Sequence, residues 1–577
     1  MRIITLRPPA FLASLTLLVA AGCTQLPKTV VVGTDADASE GCVVCVEPHA
    51  ARIGAEVLAR GGHAVDAAVA TAFALAVTWP EAGNIGGGGF MLVRESSGDA
   101  AFVDYREMAP AAATPTMFLD AAGEVDAHHV RLGFRPVGVP GTVAGLWEAH
   151  QRYGRLPWSE LVDPARRLAE DGIVVDVALA GSIGGAAEEL ALCPEAAAIF
   201  LDATGAALAE GARLVQLDLA RTLGLIAQGG RGAFYEGPIA GRIADDAEKR
   251  GGVMTRSDLA AYRAVVREPL VGSYRGFSIL CGPPPTSGGC VLLQALNILE
   301  GFDLAAMGAS SADELHLLGE ASRRAFLDRA RWLGDPDFVT APVDRLTDKA
   351  YAAELRASVD PRRATPSDRL AGDLEGTLPL EGESTTHFSV VDRDGNAVSN
   401  TYTLEESWGA KTVAAGTGVV MNNEMHDFNV TPGRSTRTGR VGTAPNTIAP
   451  GKRMLSSMCP AIVTRDEDLI LVAGSPGGRT IPSTVLRVVT GVIDHGLSAR
   501  AAVDLPRVHH GLYPDRLSVE GAIDPSTRAD LAARGHELRA REAQGDAHVV
   551  GPGARVGALV GAADLRRAGA VGAVSVD

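Results

Sequence analysis

Four short patterns in the chain combine residue types that can do chemistry. Cys42-Val43-Val44-Cys45 has the spacing of a redox or metal pair, and Gly86 to Gly89 is glycine-dense enough to cradle a phosphate. Asp392-Arg393-Asp394-Gly395-Asn396 imitates the opening of a calcium loop, and His509-His510 sets two imidazoles side by side. Each lacks the partner its chemistry requires. The cysteines stand in an apolar, strand-like run with no second pair or histidine, and no Gly-Lys-Ser/Thr follows the glycines. The twelfth position counted from Asp392 is Thr403 instead of glutamate, so Asp394-Gly395 reads as a tight hairpin turn. No acid or histidine at ligand spacing accompanies His509 and His510. Taken singly, Arg106 reads as an ion-pair residue, Thr385 as a strand threonine and Ser456-Ser457 as a turn or cap. These patterns predict neither a metal nor a cofactor.

The surrounding chain has 577 residues and a net charge of −16, which disfavours a nucleic-acid partner because little would neutralise phosphates. Its length permits about four domains of roughly 150 residues, or one large globule. Residues 1–22 read as a signal peptide, with Arg2 and Arg7 ahead of an apolar stretch over residues 11–21 that is too short to span a bilayer. The stretch ends in Val19-Ala20-Ala21-Gly22-Cys23, which looks like a bacterial lipobox with Cys23 as the lipidated residue. The expected location is the bacterial cell envelope, as a periplasmic or membrane-anchored lipoprotein, with a secreted protein as the alternative. Residues 23–44 read as a tether, polar and β-branched without a helical period. Cys42, Cys45, Cys193, Cys281, Cys290 and Cys459 allow up to three disulfides in an oxidising compartment, with the pairing left open.

Two textures follow. Residues 49–355 are mostly helical in pattern, including helices over 50–60, 64–77, 218–228 (closed by Gly229-Gly230) and 311–333. From Thr385 strands dominate, with a hairpin of 386–391 and 397–404 around Asp394-Gly395, a pair at 461–463 and 469–472, and a helix over 480–494. The boundary, residues 372–384, is polar and glycine-bearing and reads as a loop or a processing site.

At that boundary Thr385-Thr386-His387-Phe388-Ser389-Val390-Val391-Asp392 resembles the start of the small subunit of γ-glutamyltransferases. The resemblance continues through Gly61-Gly62-His63-Ala64-Val65-Asp66, Gly86 to Phe90, Tyr105-Arg106-Glu107-Met108-Ala109-Pro110 and Gly138-Val139-Pro140-Gly141. Next come Pro283 to Gly289, Asp328-Arg329, Gly334 to Phe338, Asn422-Asn423-Glu424-Met425-His426-Asp427-Phe428, Leu455 to Met458 and Gly474 to Gly478. The blocks are collinear over residues 45–570. The resemblance implies an α+β fold, the four-layer αββα sandwich of N-terminal-nucleophile hydrolases. It further implies a helix-rich large subunit (45–384) and a strand-rich small subunit (385–577), cut from one precursor between Ser384 and Thr385 and forming one globular unit.

The implied activity is transfer of the γ-glutamyl group of glutathione or other γ-glutamyl amides to water or to an amino acid or peptide. Thr385 would supply both nucleophile and base, because a free α-amine titrates at about 7.7–8.0, near working pH. Thr403, eighteen residues on, would support Thr385, and the N–H groups of Gly477 and Gly478 would face the oxyanion. Arg106 would fork onto the donor's α-carboxylate with Ser456 and Ser457, while Asp427, Glu424 and Glu405 would meet its α-ammonium. Some family members carry asparagine and glutamine in place of Glu405 and Glu424, so at least one of these clustered acids should have a raised pKa. A second departure is residues 433–450, which carry Arg434, Arg437 and Arg440 where several bacterial members place an aromatic lid residue. Two alternatives stand beside this reading. One is a related acylase of the cephalosporin or glutaryl type; the other is an uncleaved, non-catalytic envelope lipoprotein.

Overall fold

The computed structural model describes residues 28–372, 384–431, 444–555 and 557–576. The expected signal peptide, Cys23, most of the boundary segment and the arginine-bearing part of residues 433–450 lie outside these residues.

Two antiparallel sheets stack face to face at the centre. The larger has eight strands in the order Lys28–Gly33, Ala570–Val576, Gly41–Cys45, Thr385–Asp392, Ala397–Thr403, Gly88–Arg94, Ala100–Tyr105, Val265–Arg267. The smaller has seven, in the order Asp35–Asp37, Leu559–Ala563, His548–Pro552, Asp468–Ala473, Ala461–Arg465, Phe277–Cys281, Leu270–Tyr274. Successive side chains of the larger sheet part to opposite faces with the period of two that a strand imposes. Val43, Cys45, Met91, Val93, Phe388 and Val390 pack outward against the helices Pro48–Ala59 and Ala64–Thr78. Cys42, Val44, Phe90, Leu92 and Val391 face inward to the second sheet, whose far side is covered by Gly288–Leu299 and Ile481–Ile493. These are the four αββα layers. The helix Ala64–Thr78 is buried along its whole length, which its alanine-rich sequence permits because small side chains let it sit close to the sheet.

One expectation changes in the structure. The tether over residues 23–44 does not extend past Lys28. Lys28–Gly33 pairs in register with the C-terminal strand, and Gly41–Cys45 is a fully buried central strand. The helix-rich and strand-rich textures hold, since the residues before Thr385 carry fifteen of the eighteen described α-helices; they also supply eight of the fifteen strands in the two sheets, so residues on both sides of Thr385 build each sheet. The helix that starts at Leu217 is interrupted at Gly230, as the Gly229-Gly230 pair suggests, and a second short helical stretch continues to Tyr235; the Gly230 φ of 56° needs glycine.

The six described cysteines are buried and unpaired, and burial holds the Cys42 and Cys290 thiols up at about 12. Cys42 and Cys45 point to opposite faces of their strand, which removes the redox-pair reading. Asp392 confirms the hairpin: its carboxylate accepts from the amides of Asp394, Asn396 and Ala64 at 2.9–3.0 Å, capping the buried helix instead of facing an ion.

Candidate active site

The first residue of the strand Thr385–Asp392 lies directly across from the last residue of Ala397–Thr403, because the Asp394-Gly395 turn fixes the register. Thr385 is only 4% exposed at this end of the sheet. Thr403 Oγ1 donates to the carbonyl oxygen of Ser384 at 3.1 Å and accepts from the Glu405 amide at 2.8 Å. Its own carbonyl accepts from Asn84 Nδ2 at 2.9 Å, and Asn84 Oδ1 takes the Gly87 amide at 2.9 Å and the Thr142 hydroxyl at 2.7 Å. A Cβ on Gly87 would stand 2.0 Å from the Thr403 carbonyl oxygen, so this glycine serves close backbone approach and the phosphate-loop reading falls away.

Arg106 follows the strand Ala100–Tyr105 and is fully buried. Its Nη1 meets Glu424 at 2.6 Å and Glu107 at 3.4 Å, its Nη2 donates to Asp427, and its Nε donates to the Met454 carbonyl at 3.3 Å. Glu424 and Asp427 sit together on one short 3-10 turn, Glu424–Asp427. Asn422 locks that turn in place: its Nδ2 donates to the carbonyls of Gly86 and Gly138 at 2.8 and 2.9 Å, joining three sequence blocks that lie far apart in the chain.

Burial works against charge on Arg106, but Glu424, Asp427 and Glu107 outweigh it and hold the guanidinium above its ordinary value. Burial also pushes Glu107 up to about 8 and Glu424 well above the carboxylate range, each against the pull of Arg106. The raised acids are therefore Glu424 and Glu107; sequence reasoning had passed over the latter. Glu405 adopts a left-handed backbone (φ 80°) and stands 3.5 Å from His426, which it holds above its ordinary value despite burial.

Ser456 and Ser457 close the opposite side. Arg329, on the helix Ala312–Trp332, donates to Ser287 Oγ at 2.8 Å and to Ser457 Oγ at 3.1 Å, and Ser287 Oγ donates to the Ser456 carbonyl at 2.6 Å. Arg106, Thr385, Thr403, Glu405, Asp427, Ser456, Ser457 and Gly478 all line one cavity of about 20 Å³. Glu424 stands one step back, against Arg106, and Gly477 faces a neighbouring cavity. Gly477 and Gly478 have φ of 127° and 52°, a turn open to glycine, immediately ahead of the helix Ile481–Ile493. Asn84, Glu107 and Arg329 are the site residues missed; each lies within or beside a motif, but without a signal of its own role.

Among the described residues, two groups bring three potential metal ligands within 4.8 Å: Glu405, Glu406 and His426, and His316, Glu320 and His536. Arginine and lysine already take Glu406 and Glu320, and Glu405 faces His426 at 3.5 Å. Arg131 forks onto Glu406 at 2.6 and 2.7 Å with Lys411 at 2.6 Å, and Arg324 holds Glu320 at 2.6 Å. Both sets fit ion pairing better than a cation.

Comparison with known proteins places the geometry in a family. A chain described as glutathione hydrolase proenzyme from Escherichia coli (strain K12) is 45% identical over 532 residues, covering 92% of this chain and 91% of that one. A cephalosporin acylase structure from Bacillus halodurans superposes with a TM-score of 0.80 at 28% identity, covering 99% of both chains. A Helicobacter pylori gamma-glutamyltranspeptidase structure matches with a TM-score of 0.56 at 42% identity, over 57% of this chain and 95% of that one. The gamma-glutamyltranspeptidase family model matches residues 50–574, and the chain belongs to that family.

Proposed function

We propose that the chain is a proenzyme that cuts itself between Ser384 and Thr385 and then transfers γ-glutamyl groups, hydrolysing glutathione and related γ-glutamyl amides or passing the group to an amino acid or peptide. One observation carries the reading: a single cavity holds Thr385 at the scissile bond and the buried Arg106–Asp427 pair. Relatives named as proenzymes support the two-subunit product.

Self-cleavage starts with attack of Thr385 Oγ on the Ser384 carbonyl carbon. The C–N bond breaks, the threonine nitrogen takes the proton, and the resulting ester is hydrolysed by water to leave the Ser384 carboxylate and a free Thr385 amine. Thr403 Oγ1 already contacts the oxygen on which charge develops. In the cut enzyme that amine accepts the hydroxyl proton as Thr385 attacks the donor's γ-carbonyl. The leaving amine takes the proton, and water or an acceptor amine resolves the acyl-enzyme.

A zwitterionic donor would exchange partners with the resident ions, its carboxylate taking Arg106 and its ammonium taking Asp427. A plain dicarboxylate offers nothing to Asp427, which favours an amino-acid donor over an acylase substrate. The sequence of residues 1–23 supports export to the bacterial cell envelope, with lipidation at Cys23 or with simple secretion as the variant outcome. The test is the denaturing mass and N-terminal sequence of purified protein, followed by a γ-glutamyl anilide assay. Two chains, the smaller starting Thr-Thr-His-Phe, with anilide release support the reading; one intact chain after long incubation overturns it.

A further inference from the structure

Next to the catalytic cavity, and sharing its glycine turn, lies a second cavity of about 120 Å³ lined by Arg479, Arg516, Arg539 and Arg541. No carboxylate is among its lining residues; of the acids beside it, Glu537 pairs with Arg516 at 2.7 Å where both side chains are largely exposed, and Asp368 accepts from Tyr513. His509 forms part of the wall. Burial, then the charges of Arg479 and nearby His510 and Arg541, keep its imidazole well below its ordinary value, so it is neutral at neutral pH and neither adds to nor offsets the positive field. Arg479 is fixed by donation to the carbonyls of Gly511 and, at 3.2 Å, Tyr513. A cavity of this kind takes carboxylates or other anions.

Its position indicates which anion. The helix Ser367–Ala371 is tied to the cavity's rim: Ser367 Oγ donates to the Leu512 carbonyl at 2.7 Å, and Tyr513 donates to Asp368 at 2.6 Å. The chain leaves that helix at Gly372 and returns at Ser384, where Thr385 shares its cavity with Gly478, the neighbour of Gly477 in the arginine-lined wall. Between these two points run residues 373–383, which contain Asp373, Glu375, Glu381 and Glu383 and no lysine or arginine.

We propose that the arginine-lined cavity is the dock of this acidic segment, residues 373–383, and that docking sets the Ser384–Thr385 bond against Thr403 for self-cleavage. The inference rests on the self-cleavage reading above and adds a positioning device to it. Arg539 and Arg541 act at a distance from the reacting atoms, through the segment they hold.

The experiment follows conversion of freshly synthesised full-length chain into two chains on denaturing gels. Glu381→Gln/Glu383→Gln and, separately, Arg539→Glu/Arg541→Glu are each expected to slow conversion about tenfold, the order expected for losing two partly exposed charge pairs. Raising sodium chloride from 0.1 to 1 M is expected to slow the wild type and leave the first variant unaffected. Combining Arg539→Glu/Arg541→Glu with Glu381→Arg/Glu383→Arg is expected to restore conversion, and every variant, once cut, should turn over the anilide at the wild-type kcat. The glutamine pair leaves the cavity intact, so it reports on docking even where the arginine variant fails to fold. Conversion at the wild-type rate in the glutamine pair overturns the proposal. So does a charge swap that folds but does not restore conversion, because the cavity then serves a free anion. A wild type that never converts overturns the self-cleavage reading instead.

Discussion

Thr403 Oγ1 touches the carbonyl oxygen of Ser384 at 3.1 Å while the Glu405 amide donates to the same hydroxyl at 2.8 Å. The incoming amide polarises the hydroxyl, and the hydroxyl in turn polarises the bond to be cut. Thr403→Val keeps the shape and removes the donor. It is expected to slow self-cleavage about 10²-fold, the cost of one oxyanion donor, whereas Thr403→Ser should retain most of the rate. The time course of two-chain appearance measures both, and equal rates for valine and serine would contradict the role.

The hairpin that creates this contact is legible locally, because Asp394-Gly395 and the flanking runs specify turn, register and pairing within a few residues. Lys28–Gly33 is not. Its partner is the strand Ala570–Val576 at the other end of the chain, and an edge strand with alternate residues exposed has the same local pattern as a polar tether. Arg106, Asp427 and the serines were legible only as members of an ordered motif set. Glu107 was quoted within its motif without a role because its effect depends on being sealed in against Arg106, which adjacency in sequence does not reveal. The raised acid expected among the cluster is explained by burial more than by mutual repulsion, a quantity invisible without the packed structure.

Arg106 contacts three buried acids at once, so removing its guanidinium outright would leave them without their shared donor at roughly 3–5 kcal/mol. Arg106→Lys is the cleaner test, since it keeps the charge and loses the fork. A point charge cannot bind a donor carboxylate bidentately, and the lost hydrogen bond to a charged group is worth about 1.5–3 kcal/mol. The donor KM is expected to rise at least about tenfold while self-cleavage proceeds, as read by anilide kinetics and gel.

Glu107 titrates near 8 when folded and near 4.5 when unfolded, so between these values the native state binds the extra proton. Stability contributed by this group is therefore greatest below about pH 4.5 and falls as pH rises towards 8. Glu107→Gln is expected to flatten that part of the stability–pH profile in denaturant melts at pH 5, 7 and 8.5. The same substitution should weaken the rise in donor KM above pH 8, where the newly ionised Glu107 competes for Arg106. A profile parallel to wild type would show that Glu107 ionises normally.

Arg329 reaches both Ser287 and Ser457 with one planar fork, and Ser287 passes the constraint on to the Ser456 carbonyl. The guanidinium thus sets two neighbouring serines that line the donor side of the cavity, without itself lining it. Arg329→Lys keeps the charge but cannot satisfy both hydroxyls, so one serine loses its orientation. The donor KM is expected to rise about tenfold with kcat little changed, because the Thr385–Thr403 geometry is set by their own strand pair and not by these serines. Ser457→Ala should give a similar loss. If Arg329 acts through Ser457, the double variant should be scarcely worse than either single one, a coupling that a double-mutant cycle on kcat/KM measures. Additive losses would mean that Arg329 supports the fold generally and does not work through that serine.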